Sequence, residues 1–351
     1  MGNVLIAYNP ALDFFCSISR IAYDKEIKAS NGWDFEFNKD IQEYVNNFIN
    51  TSSPMMKSDI DLFCRKFVGG VAVPIYFCLS QGITKLEDFF SKFTKVTGEE
   101  FINIYATVFE IADKLDGDPE ILMQSIKDNL NINSPSEDHI YFSEFRKYPD
   151  EIKGRIDTFF KLYYTNYYAE VENKHEDFMR ERIGDYIRQY EADGVDFISS
   201  LLGFDTNDLE ASGKQVVIYP SYFYEAGVSQ YETTESNNFI FGYLMEQRTN
   251  VNFVEKRTKE IIKVLADEKR YEILKLLGTK SYFSTQLSEV VGLTKATISY
   301  HVNKMISLGL VNMEIGENNR IYLSLDKKSL KKTFDYIYAD LSNEQDAKNS
   351  K

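Results

Sequence analysis

Apolar side chains recur at steps of three and four residues through much of the first 200 positions of the chain. The spacing occurs in residues 86–93, 151–171 and 178–190. It is clearest in residues 99–115, where the apolar positions are Phe101, Tyr105, Val108, Ile111 and Leu115. These steps match the turn of an α-helix, so they predict a mostly helical N-terminal region in which each helix has one apolar face.

The pattern changes near residue 215. Residues 215–219 read QVVIY, a run of β-branched and aromatic residues, and Pro220 is expected to end it. Residues 239–245, FIFGYLM, form a second apolar run, and the polar stretch between the two is interpreted as a loop. We therefore predict a short strand pair within residues 215–245. Residues 1–250 are assigned to a mostly helical N-terminal domain for sensing, dimerisation or both.

Four short helices are predicted in order after residue 250, over residues 254–266, 268–277, 285–291 and 295–308. Ser284 and Thr294 are the residue types that cap helix N-termini, and Gly292 is suited to end the third helix. Two helices joined by a short turn with a glycine form a helix-turn-helix candidate.

The fourth of these helices has two different faces. Ile298, Val302 and Met305 recur at steps of four and three, which places them toward a core. The opposite face is small or polar and consists of Lys295, Ala296, Ser299, Tyr300 and Asn303. No acid occurs between residues 295 and 306, so nothing on this face would repel a phosphate backbone. Such a face is typical of a helix that reads base edges in the major groove.

Two strand-like runs follow, over residues 310–314 and 320–325, around a turn at residues 316–319. They predict a wing whose tip presents Asn318, Asn319 and Arg320 to the DNA backbone or minor groove. The predicted fold class is mainly α with small β elements, a helical N-terminal domain plus a C-terminal winged helix-turn-helix. Residues 251–345 are assigned to this DNA-binding domain.

A last helix is predicted over residues 329–341. It carries an apolar stripe of Leu330, Phe334, Ile337 and Leu341. The stripe has two interpretations: packing on its own domain, or a two-fold dimer contact.

Charge supports the division into two parts. The chain has 351 residues and a net charge of −14, a length typical of two domains. Residues 1–250 contain 23 Lys and Arg against 41 Asp and Glu, whereas residues 251–351 contain 17 against 13. This asymmetry is expected when the C-terminal part alone meets a polyanion, although ordinary fluctuation in composition is the other interpretation.

The run VLADEKRYEILKLL, then TQLSEVVGLTKATISYHVNKMISLGLV and NRIYLSL, resembles the ArsR-type winged-helix repressors. The resemblance implies dimeric binding to palindromic DNA operators, often through the first and last helices of the domain. It also implies DNA contacts by the fourth helix and by Arg320 in the wing. The arginine that the family shows after its Leu-Ala-Asp segment corresponds to Arg270. With the outward face, the predicted DNA-binding set is Thr294, Lys295, Ala296, Thr297, Ser299, Tyr300, His301, Asn303, Lys304, Asn318, Asn319 and Arg320.

The chain also departs from the family pattern. Founding members bind metal through cysteines of the third helix, and other members bind zinc through Asp and His on the last helix. This chain has no cysteine after Cys78 and no histidine on the last helix. We therefore predict neither a metal site nor a cofactor. Residues 217–221, a polar loop and FIFGYL resemble the extended domain that precedes this winged helix in some larger bacterial regulators.

Two alternatives to a DNA-binding regulator remain open for the function. An enzyme with an appended winged helix is not expected, because GxGxxG, GxxxxGK[ST], GxSxG and HExxH motifs are absent. A winged helix that binds protein alone would carry acids or apolar residues on the outer face of the fourth helix.

The many tyrosines and phenylalanines of the N-terminal region indicate either an aromatic core or a pocket for an unknown small-molecule effector.

The sequence also addresses location. No run of apolar residues approaches the length of a membrane span, and the N-terminus lacks the basic segment of a secretory signal. We therefore expect a cytoplasmic protein without membrane attachment.

Overall fold

The computed structural model describes residues 4–29, 36–66, 70–112, 115, 117–129, 138–202, 213–249, 251–315 and 321–342. The chain divides into two compact units, and the boundary falls between Met245 and Glu246. Each unit is described by itself.

The first unit is mostly helical, as the spacing of apolar residues predicted. Its first helices are α1 (Pro10–Ala22), α2 (Asp24–Ala29), α3 (Lys39–Thr51), α4 (Pro54–Ile60), α5 (Ala72–Ser80) and α6 (Leu86–Phe93). The later ones are α7 (Gly98–Val108), α8 (Pro119–Asn129), α9 (Asp138–Lys147), α10 (Pro149–Tyr163), α11 (Glu176–Asp193) and α12 (Val195–Leu202). Short π-helical turns, Asp61–Lys66 and Tyr164–Tyr168, follow α4 and α10.

Helix α1 is the centre of this unit. It begins where the Asn9 side-chain oxygen accepts the N–H groups of Ala11 and Leu12, at 3.0 and 3.2 Å. Nearly all of its residues are buried, and it packs against α3, α5, α6 and the sheet. Phe14 and Phe15 lie edge-on to each other and to aromatic rings of neighbouring helices. The abundant aromatic residues therefore supply the core of this unit.

A small mixed sheet completes the unit, where we predicted a strand pair. It contains β1 (Val4–Ile6), β2 (Gln215–Ser221), β3 (Val228–Glu232) and β4 (Ser236–Gly242), in the order β1-β2-β4-β3. β2 runs parallel to β1 and β4, whereas β3 is antiparallel to β4. The two predicted runs do pair, as β2 and β4. The prediction missed β1, which is only three residues long, and β3, which lies at the sheet edge and has the polar composition of a loop.

Pro220 lies inside β2 instead of ending it. Pairing of β1 with β2 stops at Ile218, whose carbonyl oxygen accepts the N–H of Ala7. Alternate residues of a strand direct their backbone groups to the same neighbour, so the nitrogen of Pro220 faces the side on which β1 has ended. A proline there removes no ladder hydrogen bond, while pairing with β4 continues to Ser221.

A buried ion pair joins α1 to the loop between β2 and β3. The Nε of Arg20 donates to Glu225, and both side chains are 0% exposed. The other carboxylate oxygen of Glu225 accepts the N–H of Asn38 at 2.8 Å. Glu225 has a φ of 49°, and its carbonyl oxygen lies so close to Gly242 that an added Cβ would stand 2.0 Å away. The pair therefore holds a strained backbone against a glycine where no side chain fits.

Replacing Arg20 by Met should destabilise the first unit by about 3–5 kcal/mol, because Glu225 would remain buried without its cation. The double variant Arg20→Met, Glu225→Gln should recover part of this loss, because a neutral amide needs no counter-charge. Urea unfolding of the two single variants and the double variant measures the coupling. Strictly additive losses would contradict the assigned role of the pair.

The second unit is the predicted winged helix-turn-helix. Its helices are α13 (Val251–Ala266), α14 (Glu268–Leu277), α15 (Ser284–Val291), α16 (Lys295–Ser307) and α17 (Lys327–Leu341). Strands β5 (Val311–Ile315) and β6 (Ile321–Leu325) pair antiparallel, and Tyr282 bridges to Leu323 beside them. One apolar core joins these elements, with Ile261, Ile273, Leu287, Ile298, Val302, Met305, Leu310 and Leu323 nearly inaccessible to solvent. The predicted fold class, mainly α with small β elements, is confirmed.

Candidate nucleic-acid interface

The turn between α15 and α16 follows from two residues. Gly292 has a φ of +71° and ends α15, where its N–H donates to the carbonyl of Ser288 at 3.1 Å. The hydroxyl of Thr294 then accepts the N–H of Thr297 at 3.2 Å and starts α16. The expected cap Ser284 is itself the first residue of α15; the N–H of Phe283 before it donates to the Gln286 side chain at 3.2 Å.

Replacing Gly292 by Ala should destabilise the second unit by about 1 kcal/mol, because an L-residue with a Cβ is strained at this φ. A Cβ there would meet nothing within 4 Å, so backbone strain alone is at issue. Gly292→Asn should cost less, since asparagine tolerates the left-handed conformation better. Thermal unfolding of the two variants is the measurement. A larger destabilisation by Asn than by Ala would contradict the assignment.

Helix α16 has the two faces that its sequence predicted. Ile298, Val302 and Met305 are each 0% exposed and lie in the core of the unit. On the other side Thr294, Lys295 and Asn303 are exposed, and Tyr300 is 66% exposed. Thr297 and Ser299 are half-buried. The core thus fixes which side chains of α16 face outward.

Two of the predicted contact residues are held by neighbouring helices. His301 is half-buried, and its Nδ1 accepts a hydrogen bond from the Nε of Arg270 on α14 at 3.3 Å. The Lys304 ammonium lies 3.3 Å from a carboxylate oxygen of Glu260 on α13. These contacts brace α16 along one side.

Arg270 is absent from the DNA-binding set that we predicted, although the family resemblance marked its position. Its guanidinium carbon lies 6.0 Å from the centre of the Tyr300 ring, in addition to the hydrogen bond with His301. Its backbone N–H donates to Asp267 at 2.9 Å, which caps the start of α14. The first turn of α14 therefore places the Arg270 guanidinium beside the outward face of α16.

The charges around His301 favour its neutral form. Burial and the adjacent Arg270 guanidinium lower the pKa of His301, and the Asp267 carboxylate opposes them in part. The hydrogen bonds that Asp267 accepts from the start of α14 lower the pKa of its own carboxyl group.

A second arginine connects the end of α16 to two other helices. The Nε of Arg257 on α13 donates to the carbonyl of Leu308 at 2.9 Å, and its Nη2 donates to Ser329 on α17 at 2.6 Å. Burial lowers the pKa of Arg257 to about 10. Arg257 therefore connects the C-terminal end of α16, the candidate recognition helix, to α13 and α17.

Asn318, Asn319 and Arg320, the predicted wing tip, lie outside the described residues. Ala296 lies in the first turn of α16, and its side chain is likewise outside them. The predicted DNA contacts of these residues stay predictions.

The last helix divides the apolar stripe between two environments. Leu330 packs against the core of its own unit, and Ile337 is half-buried. Phe334 and Leu341 are 51% and 79% exposed, and Tyr338 between them is 66% exposed. We call these three residues the α17 stripe.

The described aromatics of the first unit mostly pack on one another. A cavity among them has a volume of about 10 Å³, room for one water molecule. It is lined by Phe63, Cys64, Gly70, Val71, Phe101, Ile156 and Phe160. The half-buried His175 ring stacks on Tyr222 at 3.7 Å, and burial lowers the pKa of His175 to about 4. The small-molecule effector stays a prediction.

Within the described ranges, no three His, Cys, Asp or Glu side chains are grouped so that they could hold a metal ion. Helices with the length and apolarity needed to cross a bilayer are absent from the same ranges.

Three helices, of which the last two are joined by a turn with a glycine, and an antiparallel strand pair after them define a winged helix-turn-helix domain. Residues 267–313 match the sequence model of the family described as "Bacterial regulatory protein, arsR family". The matched segment covers α14, α15, α16 and the start of β5. The second unit therefore carries an ArsR-type helix-turn-helix, as the resemblance of its sequence predicted. Comparison with curated proteins gave no match, and comparison with solved structures gave none either.

Proposed function

We propose that the chain is a sequence-specific DNA-binding transcriptional regulator of the ArsR type. The observation that carries this proposal is the outward face of α16, which is acid-free and polar while its inner face is locked into the core. The α16 helix enters the major groove, and wing residues 316–320 follow the DNA backbone or minor groove. The proposal assigns no catalytic role and no cofactor to the chain.

The dimensions and chemistry of α16 suit this role. At 13 residues, and about 1.5 Å per residue, the helix is about 20 Å long. Lys295 in its first turn is exposed and has no ion-pair partner among the described residues. A lysine there can bind a guanine edge or a phosphate, while the Tyr300 hydroxyl and the Asn303 amide can hydrogen-bond to bases or backbone.

The regulator acts as a homodimeric repressor in the cytoplasm on a two-fold symmetric operator. Two copies of α16 must then lie about one turn of B-form DNA apart, which requires a two-fold contact between chains. The exposed α17 stripe offers an apolar surface for that contact.

The test of DNA binding starts with enrichment of duplexes from a random-sequence library by the full-length protein. Fluorescence anisotropy then compares an enriched duplex with a scrambled one over a range of salt concentrations. Lys295→Ala and Tyr300→Ala should each weaken binding to the enriched duplex about 5- to 150-fold, because each removes an interaction with DNA worth about 1–3 kcal/mol.

Binding of the scrambled duplex should change less in these variants. Lys161→Ala, which removes an exposed lysine of the first unit, is the matched control and should bind as wild type does. Wild-type affinity in both α16 variants would sink the assignment of the recognition helix.

The variant Phe334→Ser, Leu341→Ser should shift the protein from dimer to monomer in sedimentation analysis and weaken operator binding, because it removes apolar area from the α17 stripe. Ile121→Ser, on α8 of the first unit, is the control, since Ile121 is 72% exposed. A dimer that persists in the double variant would place the interface elsewhere.

A further inference from the structure

Arg270 offers DNA-binding chemistry from outside the recognition helix. It lies on α14, 31 positions before His301 in the sequence, and is half-buried. Of its side-chain donors, the Nε–H is used by His301. The two Nη groups have no hydrogen-bond or ion-pair partner in the described part of the chain, and the guanidinium stands beside the exposed Tyr300 ring.

The bond between these two side chains determines the form of His301. Arginine can only donate, so the Nδ1 of His301 must carry a lone pair. A neutral imidazole then has its hydrogen on Nε2. The groups that face His301 are the Arg270 guanidinium and the Asp267 carboxylate on α14, with Tyr300 and Lys304 nearby on α16 and Glu260 beside Lys304 on α13.

The guanidinium is also poised for a phosphate. A guanidinium edge with two N–H groups matches two phosphate oxygens, and Arg is favoured wherever such paired recognition matters. No carboxylate of the described residues is salt-bridged to Arg270, although the charge of the Asp267 carboxylate acts on it from beyond salt-bridge distance. The neighbouring Lys269 differs, because its ammonium is paired with Glu272 at 2.8 Å.

We propose that Arg270 is a DNA-contact and positioning residue: its Nη edge binds a backbone phosphate while its Nε–H holds His301 as the Nε2–H tautomer, a single donor aimed at the DNA. This inference rests on the proposed function. It adds that the partner group is a phosphate of the DNA backbone, and that Arg270 on α14 and His301 on α16 act together. Arg270 thereby sets the register of α16 in the groove from outside that helix.

The phosphate contact is tested by salt dependence. Arg270→Gln should weaken binding to the enriched duplex about 5- to 30-fold and reduce the slope of log K against log salt by about 0.9 for each phosphate that is no longer neutralised, or about 1.8 for a dimer. Lys269→Gln removes the neighbouring but paired cation and should leave the slope near its wild-type value. Arg270→Lys keeps a charge and should largely keep the slope.

The positioning role is tested by the imidazole nitrogen spectrum at pH 7.5, where the chain has only three histidines to resolve. In wild type, His301 should show an unprotonated Nδ1 and a protonated Nε2. Arg270→Gln should move the Nδ1 resonance and mix the tautomers, because the glutamine amide can accept as well as donate a hydrogen bond. An arginine without a bond to His301 would not produce this effect. Thermal unfolding checks that each variant is folded, and Arg270→Met, which also lacks the charge and the donor, replaces Arg270→Gln in both measurements if the latter is not.

The outcomes separate the two proposals. If wild type enriches no duplex, the proposed function fails and the inference fails with it. If wild type binds but Arg270→Gln binds with an unchanged salt slope and an unchanged His301 spectrum, the inference alone is overturned. A reduced slope with a shifted His301 spectrum, and normal behaviour of Lys269→Gln, supports it.

Discussion

Burial of one face of α16 is the constraint on which the rest of the second unit depends. Ile298, Val302 and Met305 are sealed in the core, so the helix cannot rotate without exposing them. Full burial of three such side chains is worth about 1.5–3 kcal/mol each. Rotation by even a quarter turn would forfeit much of that energy. The orientation of Lys295 and Tyr300 toward solvent is therefore a consequence of core packing and is present before any DNA is bound.

The helix-turn-helix could be predicted from sequence because its signals are local. Gly292, Thr294 and the spacing of apolar residues in α16 lie within a few positions of one another, and each structure they predict involves only near neighbours. The pairing of Arg270 with His301 spans 31 positions and requires two helices to be packed first. No periodicity in either segment indicates it, so the predicted site lacked Arg270.

The sheet of the first unit shows the same limit more strongly. β1 pairs with β2 across about 200 residues of helical chain, and a three-residue strand carries too little pattern to be recognised. β3 was predicted as a loop because an edge strand needs apolar residues on one side at most. The helices, by contrast, were predictable, because each buries an apolar face whose spacing is independent of its partner. Sequence thus predicted the fold class and missed the topology.

Two arginines hold α16 at different points, and their chemistry differs in a way that matters for recognition. Arg257 donates from Nε to the Leu308 carbonyl and from Nη2 to Ser329, so it stabilises the end of the helix inside the protein. Arg270 donates its Nε–H to His301, and its Nη groups have no hydrogen-bond partner among the described residues. If phosphate occupies them, the same side chain that orients His301 also senses the DNA backbone. Backbone recognition and base-edge recognition would then be coupled through one guanidinium, so a misaligned duplex would forfeit both together.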